Sequence, residues 1–399
     1  MNIPGIRFKG FTDAWEQRKL GEVADVFDGT HQTPQYTNLG VKFVSVENIS
    51  TLETTKFISK EAYDKEYANK QAEKGDVLMT RIGDIGTSKV VETDEALAYY
   101  VTLALLKPKS IASDFLAYGI SSPKVQDDIW KRTLHVAFPK KINLGEINQI
   151  NITMPSSVEE QSHIGTFFRT LDNTIAIHKC KLDGLRKLKK AYLQVMFPQA
   201  GENVPRVRFA GFTSVWHEIA LGEMLIERNE QIEESTENPL MSFVGNVGVV
   251  PKGEQYDRSF LVKDDNKKYK RTKLNDFIYS SNNLETGSIG FNKTGNAVIS
   301  PVYSIFYSNT ASESQFVGLL SSRRDFINKM IHYRQGVMYG QWRIHERDFL
   351  KIKVLSPAID EQNKIILFFD MLDSQIVTLT EKTKQLTQLK SAYLQKMFT

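Results

Sequence analysis

A chain of 399 residues, 41% hydrophobic and 25% charged, has the composition of soluble globular protein and the length of two or three domains. No apolar run approaches a membrane span, and Met1-Asn2-Ile3-Pro4-Gly5 lacks the charged start and apolar core of a signal peptide, so a cytoplasmic location is expected. A single cysteine, Cys180, excludes a disulfide framework and a multi-cysteine zinc site, while a formal charge of +4 permits nucleic-acid binding without requiring it.

In chain order, residues 5–23, GIRFKGFTDAWEQRKLGEV, return at 206–224 as RVRFAGFTSVWHEIALGEM, each position 201 on, as Arg208 is from Arg7 and Trp216 from Trp15. The middle that follows, about 24–150, reads as mixed α/β with strands at 41–46, 75–83 and 99–108, where apolar residues alternate or run between Gly, Asn and Asp breakers. A helix is predicted over 114–130, and a strand-like exit, INQINITMP, leads to residues 160–197. That stretch contains no proline before its end and carries apolar residues at steps of four and three: Ile164, Phe168, Leu171, Ile175, Leu182 and Leu185. This is a coiled-coil seam. At about 1.5 Å per residue such a helix is on the order of 57 Å long.

The second middle, about 225–352, has strand candidates at 240–250, 275–281 and 296–308, a helix at 313–332 and the exit FLKIKVLSP. It leads to 361–398, whose seam is Ile365, Phe369, Leu372, Ile376, Leu379 and Leu386 and whose shift from the first helix is again 201. The chain is therefore a tandem duplication with similar ends and dissimilar middles. A period this long is a duplicated domain and not a solenoid unit. The expected fold class is α/β (α+β): two globular domains separated by two long antiparallel helices that form an intramolecular coiled coil with a pseudo-twofold repeat. The expected segments are 1–153, 154–200, 201–354 and 355–399. An antiparallel pairing centred near Cys180 sets His178 beside Thr383 and Leu182 beside Leu379, a polar pair that would fix the register.

Catalytic motifs are missing. There is no GxxxxGK[ST] phosphate loop and no HExxH, and the seven histidines do not cluster with carboxylates. The glycine run at 243–248 lacks the Asp-Pro-Pro-Tyr or Asn-Pro-Pro-Tyr that would accompany a methyltransferase turn, so it reads as strand and turn. Asp264, Asp265 and Lys267 lie in a polar charge run, KDDNKKYKRTK, better explained as a solvated loop than as a nuclease site. The same run surrounds Tyr269 with cations, among them Lys268, Lys270 and Arg271, and suits a phosphate backbone. Further candidates for DNA contact are Thr30, His31 and Gln32 in DGTHQTP, Arg81 and Lys89 flanking a Gly-punctuated loop, and the Lys140-Lys141 pair. In the second half they are Asn282, Asn283, Tyr339, Gln341 and Arg343. Arg, Asn and Gln read base edges bidentately, and His and Lys supplement them.

The RF-x-GF-x(3)-W and LGE opening, DGTHQTP, TRIGDIG, the EQ, FF and LD of each arm, and the endings LKKAYLQVMF and LKSAYLQKMF resemble the specificity (S) subunit of type I restriction-modification systems over essentially the whole chain. The resemblance implies two target-recognition domains, each reading half of a split site in double-stranded DNA, with the coiled coil setting the spacer. It implies two bound methyltransferase subunits using S-adenosylmethionine and restriction subunits using ATP and Mg, with no cofactor and no catalysis on this chain. Two other readings stay open: a coiled-coil adaptor with two protein-binding domains, which would bind without DNA or salt dependence, and a stand-alone DNA-modifying enzyme, which purified-chain activity would reveal.

Overall fold

Each half of the chain opens on a short strand paired with the strand that leaves its globular part. In the computed structural model Glu16–Lys19 runs antiparallel to Asn151–Met154, and His217–Ala220 to Lys353–Ser356. The structure describes residues 3–245, 247–251, 268–337 and 341–398. It divides into two units, one holding the residues up to Cys180 and those from Thr380 on, the other holding Lys181–Leu379.

In the first unit a four-stranded antiparallel sheet runs in the order Ala24–Asp28, Leu103–Pro108, Val77–Thr80, Ser88–Val90, beside a three-stranded sheet of Phe57–Ile58, Val41–Val44 and Leu97–Tyr99. The second unit has a four-stranded sheet of Ile226–Glu227, Ser304–Tyr307, Phe277–Tyr279 and Ile289–Phe291, in the corresponding order. The two middles, dissimilar in sequence, thus share a sheet order. The strand expected over 99–108 is two strands, because Tyr99 ends one sheet and Leu103 begins the other across a turn. The helix expected over 114–130 is also two, Ser113–Ile120 and Pro123–Arg132, since proline disfavours helical backbone before it and is suited to a first helical turn. Likewise 313–332 divides into Ala311–Leu320 and Arg324–Ile331. The glycine run is a hairpin in its described part, Met241–Val244 against Gly248–Pro251.

The arms are continuous helices, Val158–Val195 and Ile359–Met397. Their repeated Glu-Gln start ties each to its globular part. Glu160 takes both Nε and Nη2 of Arg7, at 2.5 and 2.8 Å, and Glu361 takes those of Arg208 at 2.6 and 2.7 Å, both carboxylates buried. Gln161 donates to the Pro155 carbonyl at 2.9 Å and accepts the Ala112 N–H, and Gln362 donates to the Pro357 carbonyl. The repeated leucine-aspartate and LK-x-AYLQ-x-MF motifs meet each other. In the first unit Asp172 pairs with Lys390 at 2.6 Å and the rings of Phe167 and Tyr393 lie 5.1 Å apart. In the second Asp373 pairs with Lys189 at 2.5 Å and the rings of Phe368 and Tyr192 lie 4.9 Å apart. One helix number rises as the other falls, so the pairing is antiparallel in each unit. Partner numbers add to between 560 and 562, which sets His178 level with Thr383 in the first unit and Leu182 level with Leu379 in the second. His178 Nδ1 is buried without a hydrogen-bond partner.

Of the seam residues, Ile164, Phe168, Leu171, Ile175, Leu182, Ile365, Phe369, Leu372 and Leu379 are buried, and Leu185, Ile376 and Leu386 are partly buried. The arm ends complete the cores. Phe398 packs on Trp15, Phe115 and Phe168 in the first unit, and Phe197 packs on Trp216, Phe316 and Phe369 in the second. Cys180 is exposed on its helix. No described helix is long and apolar enough to cross a membrane.

The exit strand of the first unit is held by Asp128, which accepts from the Asn151 N–H at 2.8 Å and from Arg132 Nε at 3.1 Å. Burial raises this carboxyl, but the Asn151 N–H and the Arg132 guanidinium outweigh it, and the group ionises below the usual carboxylate range. A depressed folded value stabilises above the unfolded value, near ~3.9, and is lost as pH falls through the folded one. Asp128→Ala is expected to cost the first unit about 1–3 kcal/mol at neutral pH. In urea unfolding across pH, the gap from wild type should be constant above about pH 5 and close below about pH 4.

Candidate nucleic-acid interface

In the first unit, the ends of Ala24–Asp28 and Val77–Thr80 bring two loops together, and the segment after the helix Pro123–Arg132 joins them. Asp28 sits between Arg81 Nη1 at 2.7 Å and the exposed His31 Nε2 at 2.7 Å. Gly29 lets its loop run close to the Tyr100 backbone: a Cβ there would stand 2.3 Å from the Tyr100 carbonyl oxygen. Gly83 N–H donates to the Lys140 carbonyl at 2.9 Å and Ile142 N–H to the Arg81 carbonyl at 2.9 Å, stitching loop 81–86 to 134–141.

Arg81 departs from its expected role. It is buried, and beyond Asp28 it donates to the Val101 and Ile142 carbonyls, both at 3.2 Å, so it braces the loops from beneath. Thr30 is also buried, its backbone bonded to Tyr99 and Val101. Lys89 lies elsewhere: it lines a cleft of about 110 Å³ with Asp114, Tyr118, Asp172 and Lys390, against the arm. His31, Gln32, Lys140 and Lys141 are exposed where the loops meet.

The second unit repeats this junction with other residues. Asn282 Oδ1 accepts the Trp342 N–H at 2.6 Å, and Ser281 Oγ accepts the Ile344 N–H at 3.0 Å, fastening loop 280–288 to the hairpin of Gln335–Val337 and Gln341–Arg343. Arg334 forks onto Glu285 at 2.8 and 2.6 Å. Asn282, Asn283, Gln341 and Arg343 are exposed, Arg343 lying 3.6 Å from Glu346; Tyr339 falls outside the described residues.

The basic run divides. Lys263, Asp264, Asp265 and Lys267 fall outside the described residues, and Lys268 is exposed. Lys270 is buried, donating to the Tyr303 carbonyl at 3.0 Å, and Arg271 pairs with Glu230 at 2.9 Å. The two sit on adjacent positions of Tyr269–Thr272, the middle strand between Gln231–Ile232 and Ala297–Ile299, so their side chains leave opposite faces of the sheet. Lys270 is therefore removed from the candidate contacts, and Arg271 is already neutralised.

Sequence patterning passed over Trp130, His135, Val136 and Phe138. Trp130 is 57%, Val136 98% and Phe138 104% exposed, so the segment 134–141 of the first unit's junction carries an apolar tip. The available signal was apolar residues set among cations in WKRTLHVAFPKK. Among the described residues no group of three or more His, Cys, Asp or Glu could hold a metal ion.

A family profile described as the type I restriction modification DNA specificity domain matches residues 12–187. The chain is similar to the type I restriction-modification system S subunit from M. genitalium, with 14% identity, 99% of each chain covered and a TM-score of 0.66. It also aligns with the HsdS subunit from Thermoanaerobacter tengcongensis, with 16% identity, 96% of each chain covered and a TM-score of 0.43. At these identities the first likeness establishes a shared fold. No curated protein matches the sequence.

Proposed function

We propose, on the premise that this chain belongs through residues 12–187 to the type I restriction-modification specificity family, that it reads a split DNA site for a methylating and restricting complex. The first unit's loop junction would read one half-site and the second unit's junction the other. The observation that carries this is the junction itself, built twice on the same sheet order and from different exposed residues: His31, Gln32, Lys140 and Lys141 in one unit, Asn282, Asn283, Gln341 and Arg343 in the other. A repeated scaffold with unlike tips is what recognition of two unlike sequences requires. Each bidentate base contact supplies roughly 1–3 kcal/mol of discrimination, so one half-site alone is weakly specified. Joining two readers in one chain raises the effective concentration of the second.

Chemistry in this reading belongs to partners: two methyltransferase subunits using S-adenosylmethionine, and restriction subunits using ATP and Mg. This chain supplies positioning. A gel shift tests it. The lone chain should bind duplex DNA weakly, and added methyltransferase subunit should give tight, sequence-specific binding. Salt-independent binding, or none with the partner present, would favour the protein-adaptor reading. In the assembled complex Lys140→Ala and Lys141→Ala should each lower the slope of log affinity against log salt by about 0.9 if each contacts one phosphate. An unchanged slope removes both from the interface.

A further inference from the structure

We infer that the loop 134–141 of the first unit is a wedge, with Phe138 inserting between stacked bases of the half-site that this unit reads. The inference rests on the DNA reading above and adds a named contact to it. Phe138 and Val136 stand fully in solvent, 104% and 98% exposed, on a segment whose base is fixed. Leu134 N–H bonds to the Lys141 carbonyl at 2.8 Å, Lys141 bridges to Ile82, and the Lys140 carbonyl accepts from Gly83. Beneath the tip, Lys140 lies 4.7 Å from the centre of the Trp130 ring, His135 packs on the same ring at 4.2 Å, and His135 Nε2 lies 2.9 Å from the Trp130 carbonyl. A phenyl ring held out on a braced loop is costly in water unless something covers it.

Charge selects the cover. Lys131, Lys140 and Lys141 are exposed and form no ion pair among the described residues. Lys131 precedes the apolar tip in the chain and Lys140 and Lys141 follow it directly, so the tip is set among cations. An acidic polymer with a flat apolar interior fits both features, and duplex DNA is that polymer: phosphates meet the lysines and a base step receives the ring. Apolar side chains inserted at a base step unstack it and bend the duplex. Base-aromatic stacking removed by alanine changes affinity by roughly ten- to a hundred-fold.

The test uses the complex of this chain with its methyltransferase subunits and a duplex carrying its site, located by methylation mapping. 2-Aminopurine is placed singly at each step of the first unit's half-site, away from the methylated adenine. The wild-type complex should brighten the probe at one step. Phe138→Ala should abolish that signal and weaken binding about ten- to a hundred-fold, and Phe138→Leu, which keeps an apolar wedge, should restore most of both. Unchanged affinity and signal in Phe138→Ala, with site-specific binding intact, overturns the wedge and leaves the DNA reading standing. Loss of methyltransferase subunit from Phe138→Ala on size exclusion makes the tip a protein contact and also overturns it. Absence of site-specific binding by the wild-type complex removes the DNA reading and the wedge with it.

Discussion

Phe398→Ala is expected to lower the stability of the first unit by about 3–5 kcal/mol. Phe398 is 5% exposed and packs at 5.1 Å on Phe115, 5.8 Å on Phe168 and 6.3 Å on Trp15. Ile6 N–H bonds to the Lys396 carbonyl at 3.1 Å, so the opening segment rests on the same turn. Phe197→Ala should do the same to the second unit, where Phe197 meets Trp216, Phe316 and Phe369. Hydrogen exchange resolved by peptide separates the effects: the first variant should lose protection over 15–154 and the second over 216–356. Equal loss in both units, or a change below about 1 kcal/mol, would show that the arm ends do not complete separate cores.

If the two units each read half of a DNA site, as proposed, exchanging residues 24–150 for the matching stretch of another chain with this repeat should change one half of the methylated motif and leave the other half as it was. The joins fall where frame meets middle. Leu20 N–H bonds to the Ile150 carbonyl at 2.8 Å, and Glu16–Lys19 pairs with Asn151–Met154, so the frame closes around whatever lies between. The exchanged part carries the loops at 28–34, 81–86 and 134–141, and none of the residues that pair the arms. Single-molecule methylation sequencing of a host carrying each version reads the result. A change in both halves of the motif, or in neither, contradicts division of the site between the units.

The duplication, the arms and the mixed α/β class were legible because they rest on signals that repeat or run long. A seam of apolar residues at steps of four and three specifies a helix wherever it occurs, and a 201-residue shift is visible letter by letter in GF-x(3)-W and AYLQ. The candidate contact face was less legible. Exposed His31, Gln32, Asn282 and Gln341 could be named from residue type, since side chains in turn-rich loops between strands usually face solvent. Arg81 and Lys270 could not be placed that way. A cation in a basic or Gly-punctuated stretch looks the same whether it reaches outward or turns back to a carbonyl, and the partners that turn them, Asp28, Val101 and Ile142 for one and Tyr303 for the other, are 20 to 61 residues away.

By itself the sequence determined that the chain is built twice, that each half ends in a long helix, and that the repeated Glu-Gln, Leu-Asp and AYLQ-x-MF segments matter. Only the tertiary structure decided what those segments do for one another. Glu160 grips Arg7, Asp172 receives Lys390, and Phe398 closes the core around Trp15. It also decided that the two middles share a sheet order despite unlike letters, since hydrogen bonding between strands depends on backbone that any side chain carries. The reason is one of range: periodicity within a segment is fixed by local geometry, whereas pairing between segments far apart in the chain is fixed by which surfaces exclude water together.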